Sequence, residues 1–236
     1  MNVEAGSSQA EFDAVADDYE LQHAASIRLS GEATSFFARY KVEDVRKALE
    51  QNATQAPTIL DFGAGIGNSS EYFLELFPDS KIICADVSSR SLQLCKERGG
   101  SSVETVQIID NKVDLDDNSV DLIFVACVFH HIVHDEHHAV LQEMRRLLRP
   151  GGRLFVFEHN PWNPATRYAV AKCPFDEGAV LIDAPEMKRR IESAGFSQVK
   201  TEYRIFFPGA AAKLRWIEKY LTSLPIGAQY SLHARA

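Results

Sequence analysis

Apolar and polar positions along the chain follow two periods. Short apolar runs recur at 57–61, 81–85, 103–109, 121–126 and 152–158, rich in Val, Ile, Leu and Phe. Each is too short for a helix and reads as a strand. Segments of helical spacing separate them. That alternation predicts a mostly parallel sheet with right-handed crossovers. After residue 183 the pattern gives a helix at 185–194, a strand at 198–207, a helix at 211–222 and a short strand at 228–234. Residues 7–50 show helical spacing and no strand-like run, with Phe36, Phe37, Tyr40, Val45 and Leu49 on one apolar stripe that reads as packing. The organisation is a helical cap over 1–50 and an α/β domain over 51–236, with an insertion at about 159–183. No repeat, linker or low-complexity tract interrupts it.

The first strand leads into Asp61-Phe62-Gly63-Ala64-Gly65-Ile66-Gly67. Three alternating glycines let the backbone turn sharply and approach a ligand where a Cβ would collide, and the helix beyond offers unpaired N–H groups. A dinucleotide fingerprint would need glycine at position 68, which is Asn68. A carboxylate at Asp61 would repel a pyrophosphate and accept hydrogen bonds from an ammonium group. The favoured ligand carries an amine and no diphosphate, which describes S-adenosylmethionine. The second strand ends in Asp86, 19 residues past Gly67, where a carboxylate can accept both ribose hydroxyls. The third ends in Asp110-Asn111, which could meet the adenine amino group or simply make a turn.

The pattern D-x-G-x-G-x-G, the Asp86 strand end, the segment Asp117-Asn118-Ser119-Val120-Asp121-Leu122-Ile123-Phe124, the pair His130-His131 and the run Leu147-Leu148-Arg149-Pro150-Gly151-Gly152 follow in an order that resembles the class I S-adenosylmethionine-dependent methyltransferases of small-molecule type. The match covers roughly residues 55–160. The resemblance implies a doubly wound, mostly parallel seven-stranded sheet of Rossmann-like type, with helices on both faces and the cofactor at the strand C-terminal ends. It implies cofactor contacts at Tyr19, Asp61, Gly63, Ala64, Gly65, Gly67, Asp86, Val87, Asp110 or Asn111, Ala126 and Cys127. Tyr19 lies in a lead-in, Phe12 to Glu20, that looks like the segment closing over the cofactor in such enzymes. The acidic position after the third strand stands about one residue off the usual spacing, which leaves Asp110 and Asn111 both open.

The stretch Glu158 to Glu177 carries three prolines, Pro161, Pro164 and Pro174, and reads as a shaped loop or short-helix insertion over the pocket. His159, Asn160, Trp162 and Asn163 leave the fifth strand at the edge where open parallel sheets bind ligands. His130, Asn160, Trp162 and Asn163 are the expected acceptor contacts, against a reading of the asparagines as turn formers and the tryptophan as a plug. His131 is the first candidate for general base and His159 the second, because imidazole titrates near neutral pH. Five of the eight histidines fall between 130 and 138, yet no H-E-x-x-H spacing occurs and no third ligand is evident. The sequence therefore assigns no metal, and the histidines at the start of the following helix read as solvent-exposed.

Composition narrows the acceptor. A formal net charge of −8 argues against a polyanionic partner, and the basic clusters Lys188-Arg189-Arg190 and Arg145-Arg146 read as solvated helix faces. Four cysteines without C-x-x-C spacing suit core thiols in a reducing cytoplasm. No apolar run approaches the roughly 18 residues of a membrane span, and Met1-Asn2-Val3-Glu4 does not open a signal peptide. A small-molecule acceptor, no nucleic acid and no membrane span are expected. The oligomeric state is open, a homodimer included. The competing readings are a protein that keeps the cofactor without chemistry and a nicotinamide-dependent oxidoreductase, which Asp61 and Asn68 oppose.

Overall fold

In a computed structural model that describes Asp13 and residues 31–49 and 56–236, eight strands form one sheet of order β4-β3-β2-β1-β5-β6-β8-β7. The strands are β1 Thr58–Phe62, β2 Lys81–Asp86, β3 Val103–Ile109, β4 Lys112–Val113, β5 Val120–Ala126, β6 Leu148–His159, β7 Ser197–Arg204 and β8 Gln229–Arg235. The helices are α1 Thr34–Leu49, α2 Ser70–Leu76, α3 Ser89–Gly99, α4 His137–Leu147, α5 Pro164–Lys172 and α6 Ala184–Ser193. Strands β3, β2, β1, β5 and β6 pair in parallel, and β8 runs antiparallel between β6 and β7. This is the Rossmann-like α/β fold expected, with one strand more than the seven. The eighth, β4, is two residues long and pairs antiparallel to β3. Asp110 and Asn111 make the two-residue turn between them at φ 50° and 61°, a left-handed pair that Asp and Asn tolerate.

Alternating strand residues build two cores. Leu60, Ile83, Ile123, Val125 and Val156 pack with Val140, Leu141 and Met144 of α4 and Met187 and Ile191 of α6. Ile59, Ile82, Leu122, Phe124 and Phe157 face the other way, onto Val42 and Val45 of α1, Phe73 of α2 and Cys95 of α3. Rings run through this second layer: Phe73 to Phe124 at 5.1 Å, Phe124 to Phe157 at 5.5 Å and Phe157 to Tyr40 at 6.2 Å. Burying each such side chain stabilises by roughly 1.5–3 kcal/mol. A face covered on both sides explains why the strands read as unbroken apolar runs.

The chain reverses its winding between β1 and β5, which lie side by side in parallel register. A crevice at the C-terminal strand ends follows from that reversal. Asp61, Asp86, Ala126 and His159 all stand at or beside those ends. Of the cap expected over 1–50, only Asp13 and residues 31–49 fall among the described residues, and Tyr19 lies outside them. Helix α1 packs with Phe37, Lys41, Val42 and Val45 buried. A charged residue on that buried face departs from the apolar stripe the spacing gave.

Candidate active site

The glycine loop owes its shape to backbone no side-chain residue adopts easily. Gly63, Gly65 and Gly67 have φ of 74°, 54° and 81°. A Cβ at Gly63 would stand 2.4 Å from Val128 Cγ2, and one at Gly67 would stand 2.7 Å from Cys95 Sγ. At Gly65 a Cβ would meet nothing within 4 Å, so that glycine borders open space. The N–H groups of Gly63 and Ala64 both donate to Ala85 O, at 2.8 and 3.0 Å, which ties the loop to β2.

Asp86 takes part in the same tie. Its Oδ2 accepts the Gly65 N–H at 2.8 Å and its Oδ1 the Ser88 N–H at 2.9 Å. Each oxygen keeps a further lone pair, so the carboxylate can shape the loop and still receive hydroxyls. Burial pushes its pKa up, opposed by the backbone N–H groups of Ser88, Gly65 and Val87. Asp13, whose Oδ1 accepts from Ser88 Oγ at 2.5 Å and from the Arg90 N–H at 3.1 Å, adds a negative neighbour that the sequence did not signal. Val87 lies half-buried beside it, its carbonyl accepting from Gln107 Nε2 at 3.1 Å.

Asp61 is buried at 3% exposure, and no hydrogen-bond donor meets its carboxylate among the described residues. Burial, with Cys95 and Asp86 nearby, raises its pKa well above the ordinary carboxylate range, and Lys41 works the other way. Lys41 of α1 is itself buried at 6% exposure. Its Nζ lies 3.5 Å from Cys127 Sγ, and no carboxylate stands within ion-pair distance of it among the described residues. A buried carboxyl and a buried amine, neither matched among the described residues, face the crevice at strands β1 and β5. Each is costly unless a ligand completes it. The methionine end of S-adenosylmethionine carries an ammonium and a carboxylate, and the pair fits it.

Ala126 ends β5, and Cys127 follows at φ 59° with its N–H on Phe157 O at 2.8 Å. Burial pushes the Cys127 thiol up, but Lys41 and His159 beside it outweigh this and bring it down to about 7. Asp110 is exposed at its turn, and Asn111 Nδ2 donates to Glu136 Oε2 at 2.9 Å.

A second cluster lies past the ends of β5 and β6. Glu158 Oε1 accepts the N–H groups of Val128 and Phe129 at 2.9 and 2.7 Å, and Oε2 meets His130 Nδ1 at 2.6 Å. Burial alone would keep His130 neutral; Glu158 and Asp176 outweigh it and raise its pKa. Burial first and charged His130 second push His131 down to about 4. His159 closes the group, its ring 5.2 Å from that of His130. Glu158 and Asp176 were not singled out by the sequence, because only the fold brings them to the histidine pair.

The asparagines of the insertion take the turn-forming reading, and one histidine of α4 departs from expectation. Asn160 is buried and spends both amide protons on Pro225 O and Gly227 O, at 3.1 and 2.8 Å, while its Oδ1 accepts the Trp162 N–H at 3.1 Å. Asn163 caps α5 through the N–H groups of Ala165 and Thr166 and donates to Ile226 O. Both amides hold loops together, and Asn160 has no amide proton left for an acceptor; Trp162 is exposed at 51%. His137 is fully buried rather than solvent-facing, bonded to Phe129 O and Ile132 O at 2.9 and 3.1 Å and to Arg190 at 2.8 Å.

Fold, glycine loop and the buried Asp61 and Lys41 fit an α/β protein that takes a nucleoside bearing an amino acid. Residues 60–156 match the family model described as a methyltransferase domain. A ubiquinone/menaquinone biosynthesis C-methyltransferase of Hahella chejuensis is 28% identical over 77% of this chain and 74% of its own length. One of Ectopseudomonas mendocina is 28% identical over 65% of this chain and 58% of its own. A methyltransferase structure from Thermotoga maritima superposes with TM-score 0.66 at 18% identity, covering 97% of this chain and 99% of that one. Phosphoethanolamine N-methyltransferase 2 of Haemonchus contortus, in complex with S-adenosylmethionine, gives 0.66 at 14% identity over 95% of this chain and 59% of its own. Residues 60–156 form a methyltransferase domain, and relatives and fold alike point to S-adenosylmethionine-dependent methyl transfer. No helix among the described residues is long and apolar enough to cross a membrane.

Proposed function

We propose that the enzyme methylates a small-molecule acceptor at oxygen, nitrogen or an activated carbon, with the acceptor held between the cofactor end of the crevice and the histidine cluster. The observation that carries this is the buried pair Asp61 and Lys41, unmatched among the described residues, beside that cluster. Asp61 receives the methionine ammonium and Lys41 its carboxylate. Asp86 receives the ribose hydroxyls, the Asp110–Asn111 turn meets the adenine, and Gly63, Ala64, Gly65, Gly67, Val87, Ala126 and Cys127 line the backbone path. Tyr19 covers the sulfonium. The cofactor supplies an electrophilic methyl group, and the protein aligns the acceptor and excludes water.

His159 takes the acceptor proton ahead of His131, because His131 Nε2 is already directed at Asp176 Oδ1 at 3.5 Å. Trp162 supplies an apolar wall. The quinone-pathway C-methyltransferases at 28% identity support a carbon acceptor activated by neighbouring oxygens. The net charge of −8 supports a small acceptor over nucleic acid, and four unbridged thiols support a cytoplasmic enzyme. The experiment is release of S-adenosylhomocysteine, followed by mass spectrometry, across a panel of phenols, quinols and amines. Turnover on at least one acceptor is expected. Cofactor binding without turnover on any of them would favour a regulatory protein.

A further inference from the structure

Three side chains beyond the cofactor end converge on one point. His130 Nε2 and His131 Nε2 lie 3.4 and 3.5 Å from the same oxygen, Asp176 Oδ1, and the three atoms lie within 4.8 Å of one another. A zinc-class ion binds imidazole nitrogen at about 2.0–2.1 Å and carboxylate oxygen at about 2.0–2.2 Å, so two donors at a tetrahedral angle stand about 3.4 Å apart. Both nitrogen–oxygen separations match that spacing. His130 is also oriented from behind. Its Nδ1 is 2.6 Å from Glu158 Oε2, and Glu158 is pinned by the N–H groups of Val128 and Phe129. A carboxylate on the far nitrogen is how metal-binding imidazoles are fixed in orientation and tautomer.

We propose that His130, His131 and Asp176 form a site for a divalent transition-metal ion of the zinc class at the acceptor end of the crevice. Two imidazoles and one carboxylate suit zinc, manganese or iron and disfavour Mg²⁺ and Ca²⁺, which take oxygen donors. Three protein ligands leave a position open, and an acceptor oxygen is the group that would fill it. The side chains of His131 and Asp176, at 19% and 11% exposure, give the ion a way in. Coordination replaces the Nε2 proton of His130, which passes to solvent. With the ion in place His131 is a ligand, and His159 remains for the acceptor proton. The site goes beyond the methyl-transfer reading and does not depend on the acceptor's identity.

The test is titration of chelator-treated full-length protein with Co²⁺ and then Zn²⁺, read by visible absorption and by metal analysis. One equivalent of Co²⁺ per chain is expected, with the absorption bands of a four- or five-coordinate site, displaced by Zn²⁺ and untouched by Mg²⁺. Glu158→Gln should weaken metal affinity 10- to 100-fold, and His131→Ala and Asp176→Asn by more than about 100-fold. Circular dichroism melts of the three variants separate loss of the site from loss of the fold. Absence of Co²⁺ uptake by the wild type, or uptake unchanged in His131→Ala and Asp176→Asn, would overturn the proposal. Calorimetry with S-adenosylmethionine on the same samples reports the cofactor end independently, so failure of one reading is distinct from failure of the other.

Discussion

Replacing Lys41 by methionine separates the two halves of the cofactor. The side chain keeps its length and apolar stem and loses only the ammonium, which is buried at 6% exposure with a thiol at 3.5 Å and no carboxylate in range among the described residues. An ammonium in that position costs the free protein stability, so the variant should melt no lower than the wild type. A hydrogen bond to a charged group contributes about 1.5–3 kcal/mol, so affinity for S-adenosylmethionine should fall roughly 10- to 150-fold. Decarboxylated S-adenosylmethionine lacks the group Lys41 is assigned to hold. Its affinity should be nearly the same for both proteins, and calorimetry with both ligands on both proteins closes a double-mutant cycle. A coupling near zero would refute the assignment, because Lys41 would then act on both ligands alike. A second readout is internal. Lys41 is the foremost of the groups drawing the Cys127 thiol down to about 7, so Lys41→Met should raise the pH at which that thiol alkylates.

Further expectations follow from individual positions. Asp61→Asn should weaken cofactor binding by more than tenfold, and wild-type affinity should decline on acidification at a pH above the ordinary carboxylate range, since burial raises the Asp61 pKa. Calorimetry across pH checks both. Gly65→Ala and Gly67→Ala should diverge: both incur the left-handed penalty of about 1–2 kcal/mol. Only Gly67→Ala also meets Cys95 at 2.7 Å, so it should be the less stable in urea, whereas Gly65→Ala should mainly lose cofactor affinity. His233 is pushed down to about 4 by burial, and its Nε2 has no hydrogen-bond partner among the described residues. Its folded pKa lies below the unfolded value, so the stability it allows is complete above about pH 6.5 and is lost as pH falls toward 4, roughly 3 kcal/mol in all. Urea midpoints of His233→Leu should flatten over that window.

The strands were legible because burial on both faces writes an unbroken apolar run. Five of them begin and end within a residue of the pattern, β7 stops before it, and β6 extends further upstream through Pro150 and Gly151. The glycine loop was legible because left-handed backbone and close approach leave glycine as the residue that fits. Asp61 and Asp86 were legible because strand ends in an open parallel sheet face the crevice. Lys41 was not, since helical spacing reads a charge among apolar neighbours as an outward position. Asp176 lies 45 residues beyond His131, and a contact of that span leaves no local period. Asn160 and Asn163 were ambiguous because an amide suits a turn and a ligand equally. Asp110-Asn111 was half legible: the turn is there, with a two-residue strand beyond it too short for any periodicity.

Asp61 and Lys41, buried and unmatched among the described residues, should receive the two charges of the cofactor's amino-acid end. A crystal structure of the protein with S-adenosylhomocysteine tests it most directly. The amine is expected within hydrogen-bond distance of Asp61, the carboxylate on Lys41 and the ribose hydroxyls on Asp86. An amino-acid end bound elsewhere, with Lys41 still against Cys127 and Asp61 still without a donor, would contradict it.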